Sequence, residues 1–452
     1  FHYDVVIIGG GAAGMTLDTQ TLTLQNVANW SSTSGDLTVS NATINNQGVF
    51  TDSSTRSILG TGTFNNSGSY VLNSAGTSGM GILFNNNAGN IDLQSGTFDL
   101  AGNTLTLGGG VLSGNGTLIA NVIADSVSVI APGDSIGSIG LLNISGDLTF
   151  DAGSGYELEM DFGTADRIIT TGAVSIDSAA DLNIIGYNGY NGDIADSGSV
   201  LSTTSTSGIS GGFTVNQHAD FTVADQYISG PPDSLDIAVV GLNNFWLSSV
   251  DGAWETLSNW SRNVLPTVGH DVIIDNGSLT VTVNSLNTSD IAIQSLTTSS
   301  TTTFNLANSS ALFVNGDVFA GILNLDTANF TVDGNLTAVS ASVSNIGSVL
   351  NGTGQLNLST SLALTDGTVS GWSSINVPQL NVSGSSQLVN TAYLHNGAVE
   401  ITSSGDKLAL SNTVMTTEST ASMTGAGTLD LQTGANWVVN ATPFTMPVAM
   451  TL

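Results

Sequence analysis

The chain has no cysteine, only seven prolines and only four basic residues in 452 positions. Without cysteine no disulfide can brace it, so stability in an oxidising compartment has to come from repetition and burial. The four cations are Arg56, Arg167, Arg262 and Lys407, against thirty-five acidic residues, for a net charge of −31. Phosphate recognition needs Lys and Arg, so nucleic acid is excluded as a partner, and the same deficit argues against docking on anionic lipid. Lys, Arg and Glu, the charged helix formers, are nearly absent, and no amphipathic helical stripe is present. No run of about 18 apolar residues occurs, so no membrane span is expected. The N-terminus lacks the basic n-region of a signal peptide, so for an exported protein the sequence reads as a mature form or a fragment.

What is present is Gly, Ser, Thr and Asn, with 40% apolar residues and a mean hydropathy of +0.23, too apolar for simple disorder. The acidity is mostly Asp, a turn residue, and reads as a solvated, self-repelling surface. Apolar residues alternate with polar ones in short runs such as Leu22-Thr23-Leu24, Leu105-Thr106-Leu107, Leu148-Thr149-Phe150 and Leu279 to Val283. Period-two alternation rich in Thr and Val predicts strands. The segments Ile44-Asn45-Asn46, Phe64-Asn65-Asn66 and Phe84-Asn85-Asn86 recur at a step of twenty residues, and Leu24-Gln25-Asn26 fits one step earlier. A fixed step of this size marks a solenoid. A second motif, Gly-x-Gly before a strand, occurs at Gly60, Gly114, Gly352 and Gly425, where glycine lets the chain corner and start a new coil.

Together these patterns predict an all-β fold, a right-handed parallel β-helix with about 20 residues per coil. On that geometry Leu24, Ile44, Phe64 and Phe84 form one inward ladder, and Asn46, Asn66 and Asn86 stack as hydrogen-bonded amides at the adjoining corner. Gly48 and Gly68 mark the next turn, and Phe50 and Tyr70 the next strand. Leu22 to Trp30 is echoed by Leu429 to Trp437, as though a larger repeat begins again and the chain is a window on a longer array. Composition shifts place boundaries near residues 125 and 243. The expected organisation is residues 1–15 as a Rossmann-like fragment or N-terminal cap strand, 16–125 as β-helix repeats, 126–242 as a second β-helical block and 243–452 as a further, truncated repeat block.

Over most of residues 16–452 the chain resembles the passenger region of bacterial autotransporter adhesins. The residues that carry the resemblance are Ile130 to Ile139 (Ile-Ala-Pro-Gly-Asp-Ser-Ile-Gly-Ser-Ile), Leu142 to Phe150, Tyr156 to Asp161 and Asp166 to Gly172. Trp246 to Ile274, with Asn259-Trp260-Ser261 and Leu265-Pro266, is similar to a unit that opens new β-helical blocks in giant secreted proteins. The resemblance implies export, a β-helix and a role at an extracellular or outer cell surface, and it names no ligand. The family's C-terminal membrane barrel has no counterpart in the sequence, so self-transport is not part of what it implies.

Tyr3 to Gly14 resembles the opening strand and glycine turn of FAD-binding flavoproteins, in which Gly9 would make the turn, Gly11 admit the pyrophosphate and Gly14 let a helix pack. Such a site needs a helix next and an acidic residue after the following strand. Met15 to Gln25 instead alternates like a strand with four Thr, and Asp36 precedes a strand rather than following one. The segment reads as a fragment or artefact, or as a terminal strand in which Val5 to Ile8 cover the first coil's edge.

The first functional expectation is a non-enzymatic structural or adhesive surface or matrix protein. Its partners would be copies of itself, stacked end to end as filaments, or a host or matrix glycan or protein. The alternative is a β-helical polysaccharide-degrading enzyme. A lyase would need clustered cations, but Arg56 and Arg167 lie 111 residues apart, five or six coils. A hydrolase needs two carboxylates. Glu157 and Glu159 share a strand face and read as solvated. A third, an FAD-dependent oxidoreductase, rests on the first fifteen residues alone. No catalytic, cofactor or metal residues are assigned. His2, His218, His270 and His395 share no ligand spacing and read as surface residues. Trp246, Trp254 and Trp260 read as core or cap packing ahead of sugar stacking. Calcium at Asp134 or at Asp275-Asn276-Gly277 would lack a calcium-loop signature.

Overall fold

A computed structural model describes residues 5–9, 14–133, 137–187, 189–193, 196–230, 232–284, 291–440 and 449–451. The fold is an all-β parallel solenoid of about 20 turns with about 21 residues per turn. The chain divides into two compact units, Phe1–Val240 and Gly241–Leu452.

In the first unit each coil lays down strands in three rows. One row runs Thr21–Leu24, Thr43–Asn46, Thr63–Asn66 and Leu83–Asn86, every pairing parallel. The second row includes Val27–Ser31, Val49–Asp52 and the start of Ser69–Met80. The third includes Met15–Asp18, Leu37–Ser40 and Ser57–Gly60. Alternation sends every second side chain inward, so Phe50, Phe64, Tyr70, Phe84 and Phe98 fill the core with almost no exposure. Their rings form an aromatic column, with Phe64 stacked on Phe84 at 5.4 Å and Tyr70 on Phe98 at 4.7 Å.

The corner amides stack as expected. Asn46 Nδ2 donates to Asn66 Oδ1 and Asn66 Nδ2 to Asn86 Oδ1, both at 2.7 Å and both buried. One strand position earlier, on the outside, Asn65 Nδ2 donates to Asn45 Oδ1 at 2.9 Å and Asn85 Nδ2 to Asn65 Oδ1 at 3.0 Å. The first coil departs from the twenty-residue step. Leu22, not Leu24, pairs with Ile44, and Leu24 lies in register with Asn46. The coil from Thr21 to Thr43 uses two more residues than the two coils that follow it, and with a side-chain period of two the inward positions are preserved while the ladder partners change.

Coil length also departs from twenty between Thr117 and Gly186. Here Thr117 pairs with Asn143 and Leu141 with Arg167, and bonded partners in neighbouring coils lie 26 residues apart. The added residues form turns outside the three rows. One is the antiparallel hairpin joining Gly155–Asp161 to Thr164–Ala165. Beyond it Ser197–Thr203 takes an antiparallel partner, Asp233–Phe245, with a register shift between Ser199 and Leu201.

Val5–Gly9 pairs in parallel with Val27–Ser31. After Gly14 (φ +75°) the chain enters the strand Met15–Asp18 where a dinucleotide fold would place a helix. Gly11 lies outside the described residues.

The second unit repeats the three rows. One row runs from Ile291–Ile293 to Thr428–Leu431 and Ala449–Thr451. Its first residues leave the solenoid after Phe245 in a loop holding a short 3-10 turn at Leu257–Asn259. Trp246, Trp254 and Trp260 from this loop are buried edge to face, with Trp254 against Phe304 at 5.7 Å, and they join the core that continues through Leu429. Leu22 and Leu429 each lie on a strand followed by another that bears Trp30 or Trp437, with Trp30 buried and Trp437 part-exposed.

Candidate functional site

The richest polar chemistry gathers where the 26-residue coils bring extra turns together. Glu157 and Glu159 do lie on the outer side of Gly155–Asp161, but Glu159 is not solvated. It is fully buried, as are its neighbours Leu158 and Met160. The alternation fails because residues 137–140 fold over that face. The amide of Gly137 donates to Glu159 Oε1 at 2.6 Å. Asp166 is held against the same strand. Its carboxyl accepts from the Glu159 amide at 2.9 Å and from the Gly140 amide at 2.7 Å. Burial, and then the neighbouring Glu159 carboxyl, hold Asp166 well above the usual carboxylate range. Glu157, half-buried, accepts from Asn183 Nδ2 at 3.1 Å, and burial raises its carboxyl as well.

Beside this pair is a cavity of about 400 Å³, bounded by the hairpin, Arg167 and the strand from Ser197. Met160, Ala165, Val200 and Ile237 give it an apolar floor, and Asp161, Thr164, Asp196 and Ser199 supply polar groups. Asp196 is oriented by the Tyr190 hydroxyl, which donates to its Oδ2 at 2.5 Å. Asp161 Oδ1 accepts from the Phe162 amide at 2.8 Å across the hairpin turn. Arg167 stands on the outward face of its strand and lines the mouth. Sequence reasoning missed this cavity. The one local signal was Asp161-Phe162-Gly163-Thr164, a two-residue turn whose Gly163 takes φ +68°.

The other candidate residues do not join it. Five successive strand pairings separate the coil of Arg56 from that of Arg167, and Arg56 Nε donates instead to the Thr33 carbonyl at 3.2 Å. Lys407 pairs with Asp430 at 2.5 Å. His270 and His395 are buried, contrary to the surface reading, because each is hydrogen-bonded inside a coil. The Thr267 amide donates to His270 Nδ1 at 2.8 Å. His395 bridges Thr417 Oγ1 and the Ser422 carbonyl at 3.1 and 3.0 Å. Burial lowers the pKa of both rings, assisted at His270 by the Arg262 charge. His218 is part-exposed and stacks on Phe221 at 4.7 Å. His2 and Asp134 lie outside the described residues. Asn276 is held by its Nδ2, which donates to the carbonyls of Trp246 and Ser248 at 2.6 and 3.0 Å. Among the described residues no group of three or more His, Asp or Glu side chains is placed to hold a metal ion, and no helix is long and apolar enough to cross a membrane.

No family model matches the chain, and no curated protein matches it. Among solved structures, the crystal structure of a TibC-catalysed hyper-glycosylated TibA fragment is similar at 12% sequence identity, over 97% of this chain and 100% of that one, with a TM-score of 0.17.

Proposed function

We propose that this chain is a non-enzymatic structural or adhesive protein of a bacterial surface or extracellular matrix. Its exposed strand rows would meet glycan, protein or further copies of itself. The observation that supports this reading is the coil-to-coil side-chain ladder. Outward amides and hydroxyls are tied to one another at the strand repeat, as in Asn45–Asn65–Asn85 and in Asn305–Asn324–Ser342. Such rows give a stiff, regularly spaced hydrophilic surface from a chain without disulfides. Imaging of purified protein across a concentration series, with retention on matrix-coated surfaces, tests it. Filaments or saturable retention support the role, and short monomers with no retention at any concentration count against it.

A second reading, a polysaccharide-degrading enzyme, is favoured by one feature. Asp161 and Asp196 line the same cavity as Arg167, and hydrolysis of a glycosidic bond needs two carboxyl groups. A reducing-sugar screen on acidic and neutral glycans separates the readings, because turnover abolished by Asp161→Asn and by Asp196→Asn would replace adhesion with catalysis.

A further inference from the structure

We propose that the hairpin cavity of the first unit is a binding site for a single uronic acid residue, held through its carboxylate by Arg167. Arg167, one of four cations in a chain of net charge −31, lines this cavity. Its guanidinium makes no ion pair or side-chain hydrogen bond among the described residues, whereas Arg56 donates to a carbonyl and Lys407 pairs with Asp430. A guanidinium presents a planar fork of donors that matches a carboxylate at two points. An unpaired one beside a cavity of about 400 Å³ is a recognition group awaiting that partner.

The remaining walls specify a sugar rather than a bare carboxylate. The Asp161 and Asp196 carboxylates accept hydrogen bonds, which suits the hydroxyls of a pyranose. Thr164 and Ser199 add hydroxyls that both donate and accept. Met160 and Ile237 are buried at the floor and offer an apolar surface for the C–H face of the ring. The volume falls within the range of roughly 300–1,000 Å³ usual for small-molecule pockets. The site is built by the fold. The hairpin exists because the coil has 26 residues, and the opposite wall begins at the register shift in Ser197–Thr203. Irregularities of this kind re-aim side chains next to functional sites.

The same charges limit the ligand. Two carboxylates flank Arg167, and the whole surface is acidic, so a dense polyanion is repelled. A uronate at a chain end, or spaced along an otherwise neutral glycan, brings one negative charge to one positive group. At physiological salt the distant charges are screened beyond about 8 Å. The inference does not depend on the adhesive reading, since a uronate site would serve an adhesin or an enzyme equally.

Ligand-observed NMR titration of the full chain with methyl β-glucuronide, methyl β-glucoside and acetate tests it. The two glycosides differ only in the carboxylate, and acetate carries the carboxylate without the ring. The expected result is that the glucuronide binds at least tenfold tighter than either control. Arg167→Gln should weaken it at least tenfold, and Thr164→Trp, at an exposed lining position, should block it. Both variants should keep the native circular dichroism and melting temperature. The proposal is overturned if the folded wild-type chain shows no glucuronide binding, or if Arg167→Gln binds as tightly as wild type. Equal binding of the glucoside would remove the role of charge, and equal binding of acetate would remove that of the sugar ring. None of these results would touch the surface role, which rests on the side-chain ladders.

Discussion

Leu24 and Asn46 face each other across one strand pairing, and the contrast exposes how the buried amides work. Asn46 donates up the ladder, but its Oδ1 is buried without a partner among the described residues because the position below is Leu24. Placing an amide there supplies the missing donor. Leu24→Asn is expected to lie within about 1 kcal/mol of wild type, since a new buried hydrogen bond offsets the lost apolar surface. Leu24→Ala should cost about 2–5 kcal/mol. Chemical denaturation of the two variants decides the matter, and the idea fails if Leu24→Asn is the less stable. The converse substitution, Asn66→Leu, interrupts the ladder, removes the donor to Asn86 Oδ1 and leaves Asn46 Nδ2 with the Ser69 carbonyl. It should cost at least about 2 kcal/mol although leucine is native at the equivalent place two coils earlier.

At the level of the element, a coil is set by its turns and its central column. A Cβ on Gly68 would sit 2.1 Å from the Gly48 carbonyl oxygen, so the backbone of successive coils meets there with no room for a side chain. Gly68→Ala must spread two coils at a point where the Ser69 amide bonds Gly48 O at 2.8 Å. Phe64 touches Phe50, Tyr70 and Phe84. Phe64→Ala is expected to cost about 3–5 kcal/mol. Hydrogen exchange should show both lesions concentrated in residues 43–86, because each coil contacts only its neighbours. Uniform loss of protection throughout the first unit would contradict that locality. These features were legible in advance: Gly48, Gly68, Phe50, Phe64 and Tyr70 all stand where alternation and the twenty-residue step place them. Glu159 was not, because its burial depends on residues 137–140 crossing an outer face that alternation alone marks as wet.

Across the molecule, the two units should answer pH in opposite senses. In the first, burial raises the Asp52 carboxyl despite bonds from Ser78, Tyr70 and Ser54, and Asp166 is pushed up to about 9 by burial and by Glu159. Their folded forms hold protons more tightly than the unfolded chain. That stability is fully present below the ordinary carboxyl value near 3.8 and is lost as pH rises through the folded values. In the second unit His270 and His395 are lowered from 6.5, so the neutral rings favour the fold. This contribution is complete above 6.5 and is lost as pH falls toward the lowered values. At His395 burial outweighs the backbone hydrogen bonds at Ser422 and Gly397, which by themselves favour the charged ring. Calorimetry from pH 8 to pH 5 should resolve a first-unit transition that rises and a second-unit transition that falls, with His395→Gln flattening the latter. Parallel movement of both would refute it.

Strand, inward position and repeat were written in the chain itself, because side-chain alternation is a property of the extended backbone and needs no distant partner. The alternation of Ile44 and Asn46, the glycine corners and the Leu22–Trp30 echo at Leu429–Trp437 all belong to this class. Long-range contacts settled the rest. Whether Leu22 or Leu24 lies under Ile44 depends on how many residues a turn consumes. Whether Glu159 is wet depends on which segment crosses over it. The cavity at Arg167 arises from a 26-residue coil meeting a strand some thirty residues later that itself takes an antiparallel partner. Each is a matter of coverage between segments remote in sequence, and no local pattern encodes it.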